Sequence, residues 1–138
     1  MANNFDRFNA RRASSQAAWA AGGVFTDASD INRCAVDLHL AGQEVGERAS
    51  VVVRKTLLEI EGDAKAFAPV DTGFLRSTIG VDVDEDGLGG EVGPAANYGA
   101  FVELGTSTQA PQAYMGPAFD RHTGEFEKAL AQIATDVL

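Results

Sequence analysis

Apolar residues recur along this chain at two spacings, and the spacings divide it into elements. From Gln43 to about Phe67 the apolar positions are Val45, Ala49, Val52, Val53, Leu57, Ile60, Ala64 and Phe67. Steps of three and four draw one stripe along a helix of about seven turns. Glu44 and Glu47 stand in its first turn, where the helix dipole favours acids. The β-branched run Val51–Val53 lowers local propensity, but the periodicity outweighs it. Phe119, Thr123, Phe126, Leu130, Ile133 and Val137 predict a second amphipathic helix, with Pro117 suited to its first turn. Elsewhere the period is two. Cys34, Val36, Leu38 and Leu40 alternate with Arg33, Asp37 and His39, which predicts a half-buried strand ended by Gly42. A strand from Leu75 to about Val83 and a partner over Glu91–Pro94 flank a hairpin tip, Asp84-Glu85-Asp86-Gly87-Leu88-Gly89-Gly90. Tyr98–Leu104 is a short apolar segment, read as a strand, although a single helical turn also fits. Gly105–Ala113 is polar, carries Pro111, and reads as a loop.

Assembled, these elements predict an α+β domain over residues 31–138. A small antiparallel sheet of about four strands is packed by the long helix and the C-terminal helix. Residues 1–30 form an N-terminal arm or extension. Ala13 to Ala21 fits a short helix around Trp19, stopped by Gly22-Gly23. Phe5, Phe8, Trp19 and Phe25 are spaced too loosely for a core, so the arm is expected to dock aromatic anchors on a neighbouring subunit.

The long helix must stop where Pro69 removes a backbone donor and biases Ala68 away from helical angles. Asp71, Thr72 and Gly73 follow as a structural turn: two side chains able to accept from nearby backbone N–H groups, and a residue that takes positive φ. Ile79, Val81 and Val83 then start the period-two pattern. Pro69, Asp71, Thr72 and Gly73 therefore set the angle at which helix meets sheet.

Charge narrows the partners. The net charge is −9 over 138 residues. Residues 1–30 hold three Arg and three Asp, so the acidic surplus lies in 31–138. Gripping nucleic acid needs clustered Lys and Arg. An acidic surface instead fits a passage through which DNA slides, as it equally fits a surface built for solubility. No run of about 18 apolar residues predicts a membrane span, and the N-terminus lacks a signal-peptide layout. Cys34 is the single cysteine, which excludes an internal disulfide and fits a reducing compartment. On the apolar face of its predicted strand it reads as a small hydrophobe.

Candidate chemistry is thin. Asp82, Asp84, Asp86 and Gly87 imitate the start of a calcium loop, but its twelfth position, where a bidentate Glu belongs, is Gly93. Gly87, Gly89, Gly90 and Gly93 are not followed by the Lys-Ser/Thr of a phosphate loop. His39 and His122 stand in no metal-ligand spacing, and no Gly-x-Ser-x-Gly occurs. No catalytic residue, cofactor or metal is expected. Arg76 and Glu103 are the charges inside the two most distinctive stretches, and they either pair across the sheet or stay solvated.

Those stretches carry a resemblance. Ala68-Pro69-Val70-Asp71-Thr72-Gly73-Phe74-Leu75-Arg76-Ser77-Thr78-Ile79, then Val92-Gly93-Pro94, then Tyr98-Gly99-Ala100-Phe101-Val102-Glu103-Leu104-Gly105-Thr106, then Gly116-Pro117-Ala118-Phe119 stand in the order found in a tailed-phage family. The chain resembles the head–tail connector or tail-completion (neck) proteins, the tail-component family of long-tailed siphophages, over roughly residues 43–138. The resemblance implies a structural virion protein and not an enzyme: a ring-forming subunit of the head–tail interface, hexameric or dodecameric. Its implied neighbours are neck, portal-side or tail-tube proteins, with DNA passing through the lumen without specific binding and no membrane partner. Assembly would take place in the bacterial host cytoplasm. A tail-terminator ring is the nearest alternative, and a small ligand-binding or enzymatic α+β domain a more distant one. Trp19, Phe25, Gly105, Thr106, Pro111 and Tyr114 are the expected subunit-interface residues, because the domain's own core explains them least.

Overall fold

The computed structural model describes residues 28–137, with side chains from residue 31. In chain order the elements are α1 (Ala28–Phe67), α2 (Phe74–Thr78), β1 (Ile79–Val83), β2 (Gly90–Pro94), α3 (Gly99–Leu104) and α4 (Met115–Val137). The class is α+β, as the two spacings predict. The sheet among the described residues has two strands, β1 and β2, rather than about four.

Each missing strand has become helix, for a local reason. Residues 33–40 lie inside α1, which is 40 residues long. Ile31, Cys34, Leu38, Ala41 and Val45 continue the stripe of three and four, and each residue added to an existing helix gains a hydrogen bond for little further ordering. Gly42 costs about 1 kcal/mol in a helix interior, which lowers stability without ending the element. Cys34 is consequently exposed and not on a buried strand face. Leu75–Thr78 are also helical. Ser77 donates to the Gly73 carbonyl at 3.0 Å, and the Ser77 and Thr78 hydroxyls donate to the Phe74 and Leu75 carbonyls. Residues 99–104 form α3: Val102 N–H bonds Tyr98 O at 3.1 Å and Gly105 N–H bonds Phe101 O at 2.9 Å.

Two compact units divide the described residues, one of Gly46–Asp136 and one holding residues 28–45 with Val137. In the first, a cluster of Ile60, Ala64, Ala68, Leu75, Ile79, Ala96, Tyr114 and Ala118 forms the core, with Val92, Val102 and Met115 packed against it. The antiparallel register pairs Ile79 with Pro94, Val81 with Val92 and Val83 with Gly90 on one face. Gly80 opposite Gly93 and Asp82 opposite Glu91 form the other. Alternation therefore puts the apolar set toward the core and two like charges on the outer face. The hairpin tip closes through Asp84 N–H to Gly89 O and Gly87 N–H to Asp84 O, with Asp86 Oδ1 accepting from Leu88 N–H at 2.9 Å. No described helix is long and apolar enough to cross a membrane.

Candidate functional site

The four motif stretches, scattered over fifty residues of sequence, converge on one corner of the Gly46–Asp136 unit. Its first part is the turn after α1. Gly73 has φ of 79°, in the left-handed region, and caps α2. Thr72 Oγ1 accepts from Phe74 N–H at 3.3 Å. Arg76 then reaches back, its Nε donating to Lys65 O at 2.7 Å. That carbonyl belongs to the last turn of α1, where carbonyls lack helical partners and a cation suits the dipole. Arg76 thus ties the corner to the helix it leaves.

Glu103 does the corresponding work at the other end. Its carboxylate accepts from the backbone N–H groups of Tyr114 (2.8 Å), Met115 (2.9 Å) and Gly116 (2.9 Å). The first four N–H groups of a helix have no partner within it. Here three of the four belong to Tyr114, Met115 and Gly116, and the fourth position is Pro117, which has no N–H. One remote carboxylate and one proline thus settle the whole N-terminus of α4, with the negative charge at the positive end of its dipole. Burial works against the charged form of Glu103, but the three backbone bonds outweigh it and hold its pKa below the ordinary value.

Between these two anchors sits Tyr114, the largest fully buried side chain among the described residues. Its hydroxyl donates to Gly99 O at 3.2 Å. Burial pushes its phenol pKa up, and the nearby charges of Glu103 and Tyr98 add to that. Gly99 admits the ring because it has no side chain: a Cβ there would lie 2.5 Å from Pro94 Cγ and 2.9 Å from the Tyr114 hydroxyl. Gly105 closes α3 at φ 75°, and a Cβ there would lie 2.7 Å from Pro111 N and 2.8 Å from Gln109 O. The loop behind it is organised by Thr106, whose N–H bonds Gln109 O and whose hydroxyl accepts from Thr108 and Gln109 N–H. Gln112 N–H returns to Val102 O at 2.8 Å.

Several expected roles change accordingly. Arg76 and Glu103 do not pair with each other; each binds backbone at a different helix end. Tyr114 is a core residue and offers no ring to a neighbour. Gly105, Thr106 and Pro111 shape a loop within the chain, while Thr106 and Pro111 remain exposed on its surface. Trp19 and Phe25 lie outside the described residues. Pro69 and Asp71 flank the turn, the latter exposed.

A second polar group joins α1 to α4. His122 Nε2 lies 2.7 Å from Asp63 Oδ2, its Nδ1 3.7 Å from Glu59 Oε2, and Arg121 3.3 Å from Asp63 Oδ2. The pairing spans 59 residues of sequence, so spacing within the chain gives no hint of it. The Glu103 cap did leave a trace. No Ser, Thr, Asp or Asn stands in the residues just before Gly116-Pro117, and a helix start without a local cap needs a remote one. Among the described residues no cluster of His, Cys, Asp and Glu has the arrangement of a metal site.

Outside this latch the corner is apolar. Phe74 (56% exposed), Tyr98 (42%), Phe101 (60%) and Leu104 (76%) all face out of the fold. The Phe74 and Tyr98 ring centroids are 6.3 Å apart. Tyr98, Phe101 and Leu104 follow at steps of three, which makes neighbours on a helix. A family model described as "Bacteriophage HK97-gp10, putative tail-component" matches residues 37–105, half of the chain, and so takes in most of this corner. Neither the curated proteins nor the solved structures include a match to the chain.

Proposed function

The chain belongs to this family of bacteriophage tail components, a structural protein of the virion, and from that premise we propose that it is a ring-forming subunit at the head–tail interface. In this reading it completes the tail and joins it to the head, within the neck. Residues 31–138 form the body of the subunit and residues 1–30 an arm that reaches a neighbour, with Trp19 and Phe25 as anchors. The exposed loop residues Thr106 and Pro111 contribute to the same contacts. Copies close head to tail into a ring, hexameric or dodecameric by resemblance, and the acidic surface lets DNA pass through the lumen without holding it.

The observation that carries the reading is the row Phe74, Tyr98, Phe101 and Leu104. The motif residues beneath it are committed to fixing the corner: Gly99 and Tyr114 by close packing, Glu103 and Arg76 by binding helix ends. Their combined effect is a rigid platform whose outer face is apolar. All four side chains are exposed, and neighbouring apolar side chains on a surface suit a contact with another protein. Residues that build a platform and an apolar face suit an assembly protein.

Electron microscopy tests this in two steps. The purified full chain should form closed rings, and lysates of phage lacking the protein should hold separate, unjoined heads and tails. Monodisperse single copies at all concentrations, together with normally joined particles in its absence, would overturn the assignment. Rings that cap tails of irregular length, with joining otherwise intact, would favour the terminator alternative.

A further inference from the structure

The exposed row offers a surface to a partner, and the part of the chain before α1 has matching chemistry. Residues 4–12 read Asn-Phe-Asp-Arg-Phe-Asn-Ala-Arg-Arg. Phe5 and Phe8 are three apart, and Arg7, Arg11 and Arg12 surround them against the single acid Asp6. From residue 28 onward the chain is the reverse, with eight basic and eighteen acidic side chains. Half of the chain's eight Phe thus belong either to this segment (Phe5, Phe8) or to the exposed row (Phe74, Phe101). We propose that residues 4–12 of a second copy of this chain dock on the surface formed by Phe74, Tyr98, Phe101 and Leu104.

Charge, stacking and reach together favour this pairing, which rests on the self-assembling reading above. Charge is complementary, a basic segment against an acidic body, which steers approach and disfavours like pairing. The surface is mostly aromatic, and arginine is the cation that stacks best on aromatic faces, so Arg7, Arg11 and Arg12 suit it as well as Phe5 and Phe8 do. Reach is available: the 15 residues between the segment and α1, 13–27, span up to roughly 50 Å when stretched, so the segment is not confined to its own copy. A segment given by each copy to its neighbour is also a head-to-tail contact, the kind that propagates around a ring.

Cross-linking decides it. In a Cys34→Ser background no native thiol remains, so introduced thiols report alone. Full chains carrying Phe8→Cys are mixed with full chains carrying Phe101→Cys and a distinguishing affinity tag, then oxidised. The expected product is the mixed disulfide pair, at least tenfold above either self-linked pair and above an Asp86→Cys control. Self-linking of Phe101→Cys chains at equal yield would mean that the surface pairs with itself, and would overturn the proposal. So would closure within one chain bearing both thiols at a yield that mixing does not exceed, because the segment would then serve its own copy. A second measurement uses no thiols. Arg7→Glu/Arg11→Glu/Arg12→Glu should weaken self-association at least tenfold in sedimentation at about 0.1 M salt, with circular dichroism unchanged. If the parent itself sediments as a single copy throughout, the ring-subunit reading falls and takes this one with it. If the parent associates but neither charge reversal nor cross-linking responds, only the docking proposal is lost.

Discussion

Removing the Glu103 carboxylate should unfasten α4 from α3 and lower stability by an amount the geometry bounds. Three backbone donors at 2.8–2.9 Å end on this side chain. Hydrogen bonds to a charged group are worth about 1.5–3 kcal/mol each, whereas loss of a typical N-cap costs about 0.5–2. Glu103 is half-buried, so water recovers part of what Glu103→Ala strips away, and three full bonds overstate the loss. Between a single cap and three orphaned donors, Glu103→Ala should cost about 2–4 kcal/mol. Glu103→Gln keeps an acceptor but loses the charge and turns an amide toward the donors, for about 1–2 kcal/mol. At roughly 3–6 °C per kcal/mol for a domain of this size, thermal melting followed by circular dichroism at fixed concentration resolves both. The pH dependence has a definite sign. Because the folded pKa lies below the ordinary 4.5, the native state binds fewer protons than the unfolded chain just below that value. The contribution is fully present above pH 4.5 and fades as pH falls through the depressed pKa. Parent and Glu103→Gln should therefore differ most near neutrality and converge in acid. A loss under about 0.5 kcal/mol for Glu103→Ala, matching a surface control such as Glu127→Ala, would refute the cap, as would a difference between parent and Gln variant that stays constant into acid.

Two of the three described glycines with positive φ, Gly73 and Gly105, separate strain from crowding: Gly73→Val should cost more than about 1 kcal/mol through φ alone, since nothing lies near a Cβ there. Gly105→Ala should cost more than Gly73→Ala, because Pro111 and Gln109 crowd the first site in addition; equal melting points would show that the loop simply yields. The acidic tip should bind no structural calcium, so melting of both the parent and Asp84→Asn/Asp86→Asn should ignore added calcium, and a rise of several degrees in the parent alone would reveal a site. Deleting residues 1–27, up to the start of α1, should leave the melting transition in place while abolishing joining; infectious particles of normal form in a lysate carrying the truncated chain would count against any role for the arm.

Elements whose signals are local can be read from the residues alone. The stripe from Val45 to Phe67 fixed a helix, Pro69 fixed its end, and Asp71-Thr72-Gly73 fixed the turn, since periodicity, a missing donor and a tolerated positive φ act within a few residues. The β1–β2 hairpin was legible for the same reason. Segments satisfying two periods at once were not. Residues 33–40 alternate and also continue the stripe, and propagation of α1 decides between the patterns; residues 98–104 fit a strand and a single helical turn alike, and the turn is what forms, with Gly99 close against Pro94 and Tyr114. Partners were the least legible feature. Arg76 and Glu103 stood out as charges within the motifs, yet each side chain binds backbone eleven or more residues away, and Tyr114 turned from a candidate surface anchor into the centre of the core. A carboxylate's identity says that it needs donors, but which donors come within 3 Å depends on where two helix ends meet, and that is decided only when the chain folds on itself.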